Sequence, residues 1–202
     1  MACKRCSFVY YLLLMLSLVL SGCAGSIQNM RKVPPGKVMT APEKGKSMVV
    51  FMRPSGMAFG IQSSVFDVNG DTPSLVGIVA AKAKVSYQLE PGKHVFMIVS
   101  ESSDFMSADL KADKTYYALI TPRPGVWKAR FSLRPVHANE INTTKFTEWL
   151  DGCQWVEKSP ESDSWAKNNM PDIKAKREKY YKEWEGKYGE GSNGLLPEDG
   201  KL

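Results

Sequence analysis

The sequence predicts a mainly β protein, an antiparallel β-sandwich with a C-terminal α-helical appendage. Three observations carry that expectation. Between Ser47 and Val136, short apolar runs recur with turn signals between them, at roughly the 8–12-residue spacing of a sandwich or barrel. Several of these runs alternate apolar with polar residues, the period of a strand with one buried face. After Pro135 the period changes to that of a helix.

Met48–Met52 is a short buried-type run stopped by Pro54 and Gly56. Ser63–Val68 follows and ends at Asn69-Gly70-Asp71; Asn-Gly is a hairpin signal because both residues tolerate positive φ. Leu75–Ala80 is the next strand. Val85, Tyr87 and Leu89 then alternate with polar residues up to the Pro91-Gly92 turn. Val95, Met97 and Val99 alternate again, but Phe96 and Ile98 make both faces apolar, as in a central strand covered on two sides. Phe105–Leu110 and Thr115–Thr121 follow, the latter ending at Pro122. Trp127, Ala129, Phe131 and Leu133 alternate with Lys128, Arg130, Ser132 and Arg134, predicting a strand with one packed and one basic face. Asn142–Leu150 reads as a short helix capped by Asn142 or Thr143. A second helix is predicted from Pro171, a first-turn proline, to about Lys187. It carries Ile173, Arg177, Tyr180, Tyr181, Trp184 and Tyr188 near one side, and Gly189 is placed to stop it. Residues 189–202 are rich in chain breakers and are expected to be disordered.

The N-terminus fixes the expected location. Lys4 and Arg5 precede an apolar run, Phe8–Leu20, too short for a comfortable transmembrane helix but suited to a secretory signal. Leu20-Ser21-Gly22-Cys23 then resembles the lipobox of bacterial lipoproteins. The resemblance implies that residues 1–22 are removed and that Cys23 carries the lipid. Ala24 rather than Asp follows, which by the same resemblance implies the outer membrane, with the domain facing the periplasm. Residues 24–46 carry Pro34, Pro35, Gly36, Pro42 and Gly45, so residues 23–46 read as a tether holding the domain off the bilayer. The remaining divisions are residues 47–136 for the sandwich, 137–188 for the helical appendage and 189–202 for the tail.

Four motifs in order carry a further resemblance: Val49-Val50-Phe51-Met52-Arg53-Pro54, Asp67-Val68-Asn69-Gly70, Leu89-Glu90-Pro91-Gly92-Lys93-His94, and Ala112-Asp113-Lys114-Thr115-Tyr116-Tyr117. Together they resemble small bacterial lipoproteins that carry the domain of unknown function 2846. The sequence departs from that pattern at Asp113, where the family usually has Gly. The resemblance covers Ser47 to about Val136. It implies a compact sandwich like the PEGA and transthyretin-like modules, and no catalytic residues.

Charge and chemistry narrow the function. The formal charge of +6 falls to about +4 once Lys4 and Arg5 leave with the signal, which is mildly basic and compatible with anionic envelope polymers. No concentrated basic arm suited to nucleic acid appears. Cys3 and Cys6 lie in the signal, so Cys153 is the one free thiol of the mature chain and reads as a small buried hydrophobe. His94 and His137 lack spaced partners for a metal, and neither a nucleophile elbow nor a phosphate loop appears. Asp67, Asn69 and Asp71 fit the hairpin better than a calcium loop, whose twelfth position would fall on Ile78. No cofactor, metal or catalytic residue is expected. Two candidate partner surfaces remain: a basic face of Arg123, Lys128, Arg130 and Arg134, and the aromatic helix face of Tyr180, Tyr181 and Trp184. The expected function is a non-enzymatic binding or scaffold module whose partners are the membrane, through Cys23, and envelope proteins or anionic glycans. The alternatives are a periplasmic hydrolase of cell-wall sugars or peptides, and an accessory part of a trans-envelope secretion machine.

Overall fold

The computed structural model describes residues 27–34, 36–124, 130–188 and 193–202. Its strands are β1 (Met30–Lys32), β2 (Ser47–Arg53), β3 (Ser63–Asp67), β4 (Ser74–Val79), β5 (Ala83–Leu89), β6 (Gly92–Val99), β7 (Ser103–Leu110), β8 (Lys114–Arg123), β9 (Arg130–Pro135), β10 (Gln154–Lys158) and β11 (Gly194–Leu195). The helices are α1 (Ala138–Ile141), α2 (Thr144–Asp151) and α3 (Pro160–Tyr188). One sheet runs β1-β10-β5-β2-β8-β9 and the other β11-β7-β6-β3-β4. The sheets are mixed: β2 lies antiparallel to β5 and parallel to β8, and β10 and β11 each join an edge in parallel. The mainly β class with a C-terminal helix is therefore as predicted, while a purely antiparallel sandwich is not.

Strand period explains the layers. Val49 and Phe51 of β2 point between the sheets, where they meet Phe66, Phe96, Phe105, Tyr116 and Phe131. Met48, Val50 and Met52 point the other way, into a second core with Leu119, Val136, Ile141 and Phe146 under α2. All of β2 is buried because it has a layer on each side. Thr143 caps α2 as expected, its Oγ1 accepting from the Phe146 amide at 3.2 Å. The Asp67-to-Gly70 and Pro91-to-His94 motifs interlock. The Asn69 side chain donates to the Lys93 carbonyl at 2.5 Å and accepts from the Val95 amide at 2.8 Å, while His94 Nδ1 meets Asp67 at 3.1 Å.

Three sequence expectations are corrected. Residues 23–46 are not a free tether from end to end. β1 pairs with β10, and Met30 is buried over Gly77, where an added Cβ would lie 3.1 Å from the Met30 side chain. One long methionine in a recess shaped by a glycine outweighs the loop composition around it. The segment stays on the domain further along, where Glu43 and Gly45 donate to Gln88 and Asp113 at 2.7 and 2.6 Å.

The tail is ordered where it is described. β11 extends the sheet beside β7, and Asp199, 2 % exposed, accepts from His137, the Ala138 amide and the Leu196 amide at 2.8–3.0 Å. Gly200 lies against Tyr116, where a Cβ would approach the ring to 2.6 Å. Finally, α3 begins at Pro160, not Pro171. Pro160 takes the first position, Glu161 and Asp163 suit the first turn, and Ser162 and Ala166 bury against the domain. Pro171 sits on the exposed side, where water can satisfy the carbonyl that loses its amide partner. The expected stop at Gly189, the Trp127–Ala129 part of the ninth strand, and the signal segment with Cys23 lie outside the described residues.

Candidate ligand-binding groove

α3 leans its C-terminal half on β7. Trp184 is buried and its ring meets Phe105 at 5.7 Å; Tyr181 meets Phe105 edge-on at 5.3 Å, and Tyr188 closes on Trp184 at 6.5 Å. The aromatic side of the helix therefore packs on the sandwich. It does not cover β7 completely. Between the helix, the start of β7 and the ends of β8 and β9 lies an open groove of about 320 Å³. Tyr180, Trp184 and Tyr188 form one wall, and Ser103, Arg123 and Arg130 belong to the other.

Arg123 and Arg130 face each other across the β8–β9 pair, an arrangement that like charges disfavour. Asp104 relieves one of them, at 3.5 Å from the Arg123 guanidinium. Lys187 stands at the same mouth with its ammonium 4.9 Å from the Tyr188 ring. Two buried polar atoms of groove-lining residues, Ser103 Oγ and Trp184 Nε1, have no hydrogen-bond partner. Cations and ring faces thus meet in one concave place, with two unpaired polar atoms buried in its wall. That combination suits a ligand with both apolar C–H faces and negative charge.

The structure brings together parts of the two surfaces singled out from sequence. Arg123 and Arg130 of the basic face line the groove with Tyr180 and Trp184 of the helix face. Tyr181 turns instead to a neighbouring cleft beside Asp71 and Arg177. Arg134 does not belong to the groove. Its guanidinium bonds both Glu140 carboxylate oxygens at 2.9–3.0 Å and lies 5.3 Å from the Trp149 ring, so it ties β9 to α1 and α2. Those bonds hold the Glu140 carboxyl below its ordinary range. Lys128 lies outside the described residues. Asp104 and Glu183 also line the groove and carried no sequence signal, because only the strand-to-helix packing places them there.

Catalytic arrangements elsewhere are weak. His94 has Asp67 on Nδ1, but Nε2 is already occupied by the Glu90 carbonyl at 3.0 Å, so it has no nitrogen left for a serine. His137 pairs with Asp199 to hold the tail. Cys153 is 5 % exposed, and burial pushes its thiol up to about 11, away from nucleophilic use. No group of three or more potential metal ligands occurs among the described residues. No helix among them is long and apolar enough to cross a membrane. No family model matches the chain. No curated protein is significantly similar to it.

Proposed function

We propose that this chain is a lipoprotein of the bacterial outer membrane, anchored through Cys23, whose periplasmic domain is a non-enzymatic binding module for an anionic glycan. The resemblance of its N-terminus to a lipobox and of Ser47–Val136 to the 2846 lipoproteins supports the location and class. The observation that carries the ligand class is the groove, where Arg130 and Lys187 flank the Tyr180, Trp184 and Tyr188 rings. Sugar rings stack their C–H faces on aromatics, while carboxylates or phosphates on the same polymer meet the cations. Soluble peptidoglycan fragments and deacylated lipopolysaccharide are the probes, titrated while tryptophan emission is followed. Removing a charge-assisted contact is worth about 1.5–3 kcal/mol, so Arg130→Ala and Lys187→Ala should each weaken binding roughly tenfold or more. Equal affinity of both variants and the parent would overturn the groove as the site.

A hydrolase is the second reading, favoured by the two groove carboxylates, Asp104 and Glu183. Against it, Asp104 already spends its carboxylate on Arg123, and Glu183 stands exposed to water. Cleavage of the same fragments, lost in Asp104→Asn, would establish the hydrolase in place of the binder.

A further inference from the structure

The N-terminal segment sets how far the domain can stand from the membrane. Ile27 packs against the main core, Asn29 accepts a hydrogen bond from the Ser162 hydroxyl, and β1 follows at once, paired with β10. Only four residue steps separate Cys23 from Ile27. An extended chain covers at most about 3.6 Å per step, so the reach is roughly 14 Å. A free tether to Ser47 would have allowed roughly 75 Å at polyproline spacing. The headgroup layer of each leaflet takes up roughly 5–8 Å of the shorter reach.

We propose that the domain lies directly on the bilayer, with the surface around Asn29, Pro160, Ser164 and Trp165 against the lipid headgroups. This rests on the reading that Cys23 is acylated. The patch is a shallow recess between β1 and the first turns of α3. Trp165 is half-buried at its rim, packed on the core by one side. An indole with an apolar body and one polar N–H suits the membrane–water boundary. The nearby carboxylates do not forbid an anionic surface. Glu157 pairs with Arg31 at 2.8 Å and Asp163 with Lys158 at 3.4 Å, while Lys32, Lys167 and Glu161 are exposed on β1 and α3. The occupant is the bilayer because the chain itself delivers this face to it.

The test uses the full chain, lipidated in cells and reconstituted in phosphatidylethanolamine–phosphatidylglycerol vesicles carrying lipids brominated near the headgroup. Acylation is read on the same sample by a palmitate-analogue label. Tryptophan emission should be quenched, by up to about one fifth if one of the five tryptophans is at the interface. Trp165→Phe should abolish that quench. A sixteen-residue Gly-Ser insertion between Gly25 and Ser26 adds a root-mean-square reach of roughly 20–24 Å and should weaken it. A labelled, vesicle-bound chain whose emission is unquenched, or quenched equally in Trp165→Phe, overturns the proposal. So does Trp165 shielded from aqueous quenchers but not reached by lipid bromine, the signature of a protein partner on this face. Absence of label on Cys23 overturns the anchor itself, and the label separates that failure from a wrongly assigned face.

Discussion

Arg53 has no exposed surface, yet it carries a charge. Burial lowers its guanidinium to about 10, and the fold compensates by turning the following loop around it. Its Nη atoms donate to the carbonyls of Ile61, Met57 and Ala58 at 2.6–2.8 Å, and the Phe131 ring lies 4.4 Å from its central carbon. The loop thus bends around one side chain and leaves Met57 and Phe59 pointing outward, 64 % and 57 % exposed. Arg53→Ala strands three carbonyls, at about 1–3 kcal/mol for each that water does not reach. A loss of about 2–4 kcal/mol is expected in urea titration, with new proteolytic cuts between Pro54 and Gln62. Arg53→Lys should recover little, since one ammonium cannot match the planar fork. Cys153 makes the opposite use of burial. With its thiol pushed up to about 11, the folded chain at pH 8 holds about a hundredfold less thiolate than the unfolded chain. Iodoacetamide should therefore label it at least that much more slowly until denaturant is added.

The individual elements differ in how readable they were, for reasons their residues make plain. β2 to β8 follow from alternation and turn residues because each signal is local: Val85, Tyr87 and Leu89 alternate, and Pro91-Gly92 turns. β1, β11 and the first part of α3 do not, because what orders them is distant. Met30 needs the recess over Gly77, Leu195 needs the edge of β7, and Ser162 and Ala166 need the flank of the sandwich. The groove shares this character. Its arginines and aromatic residues stood out in the sequence, but their meeting depends on where α3 crosses β7. Arg134 could not be separated from Arg130 by sequence, since both occupy the same face of one strand and only Glu140 distinguishes them. That pair gives α1 a pH dependence. The Glu140 carboxyl titrates below 4.5 in the fold because Arg134 bonds its charged form. The stability it contributes is full above the ordinary glutamate value and is lost as pH falls through the depressed one. Glu140→Gln should therefore lower stability at pH 7 and flatten its decline below about pH 4.5, measured by thermal melts across that range.

At the scale of the whole molecule, segments far apart in sequence close the sheets. β1 and β10 extend one sheet beyond β5, and β11 extends the other beyond β7. Lys201 adds a bridge to Thr115 on β8. Deleting residues 193–202 removes the fully enclosed Leu195, worth about 1.5–3 kcal/mol, together with the Asp199 bonds. The melting temperature should fall by roughly 6–12 °C, and the bared β7 edge should promote self-association visible in sedimentation. An unchanged melt would mean that the tail only rests on the fold. The position of these residues also bears on how the sheet is completed. In chain order they come after β3, β4, β6 and β7, the strands of the sheet that they complete. Until they dock, the second sheet keeps an unpaired strand edge that another extended chain can join. Docking of this segment therefore seals the β7 edge, and its release would open that edge to a second strand.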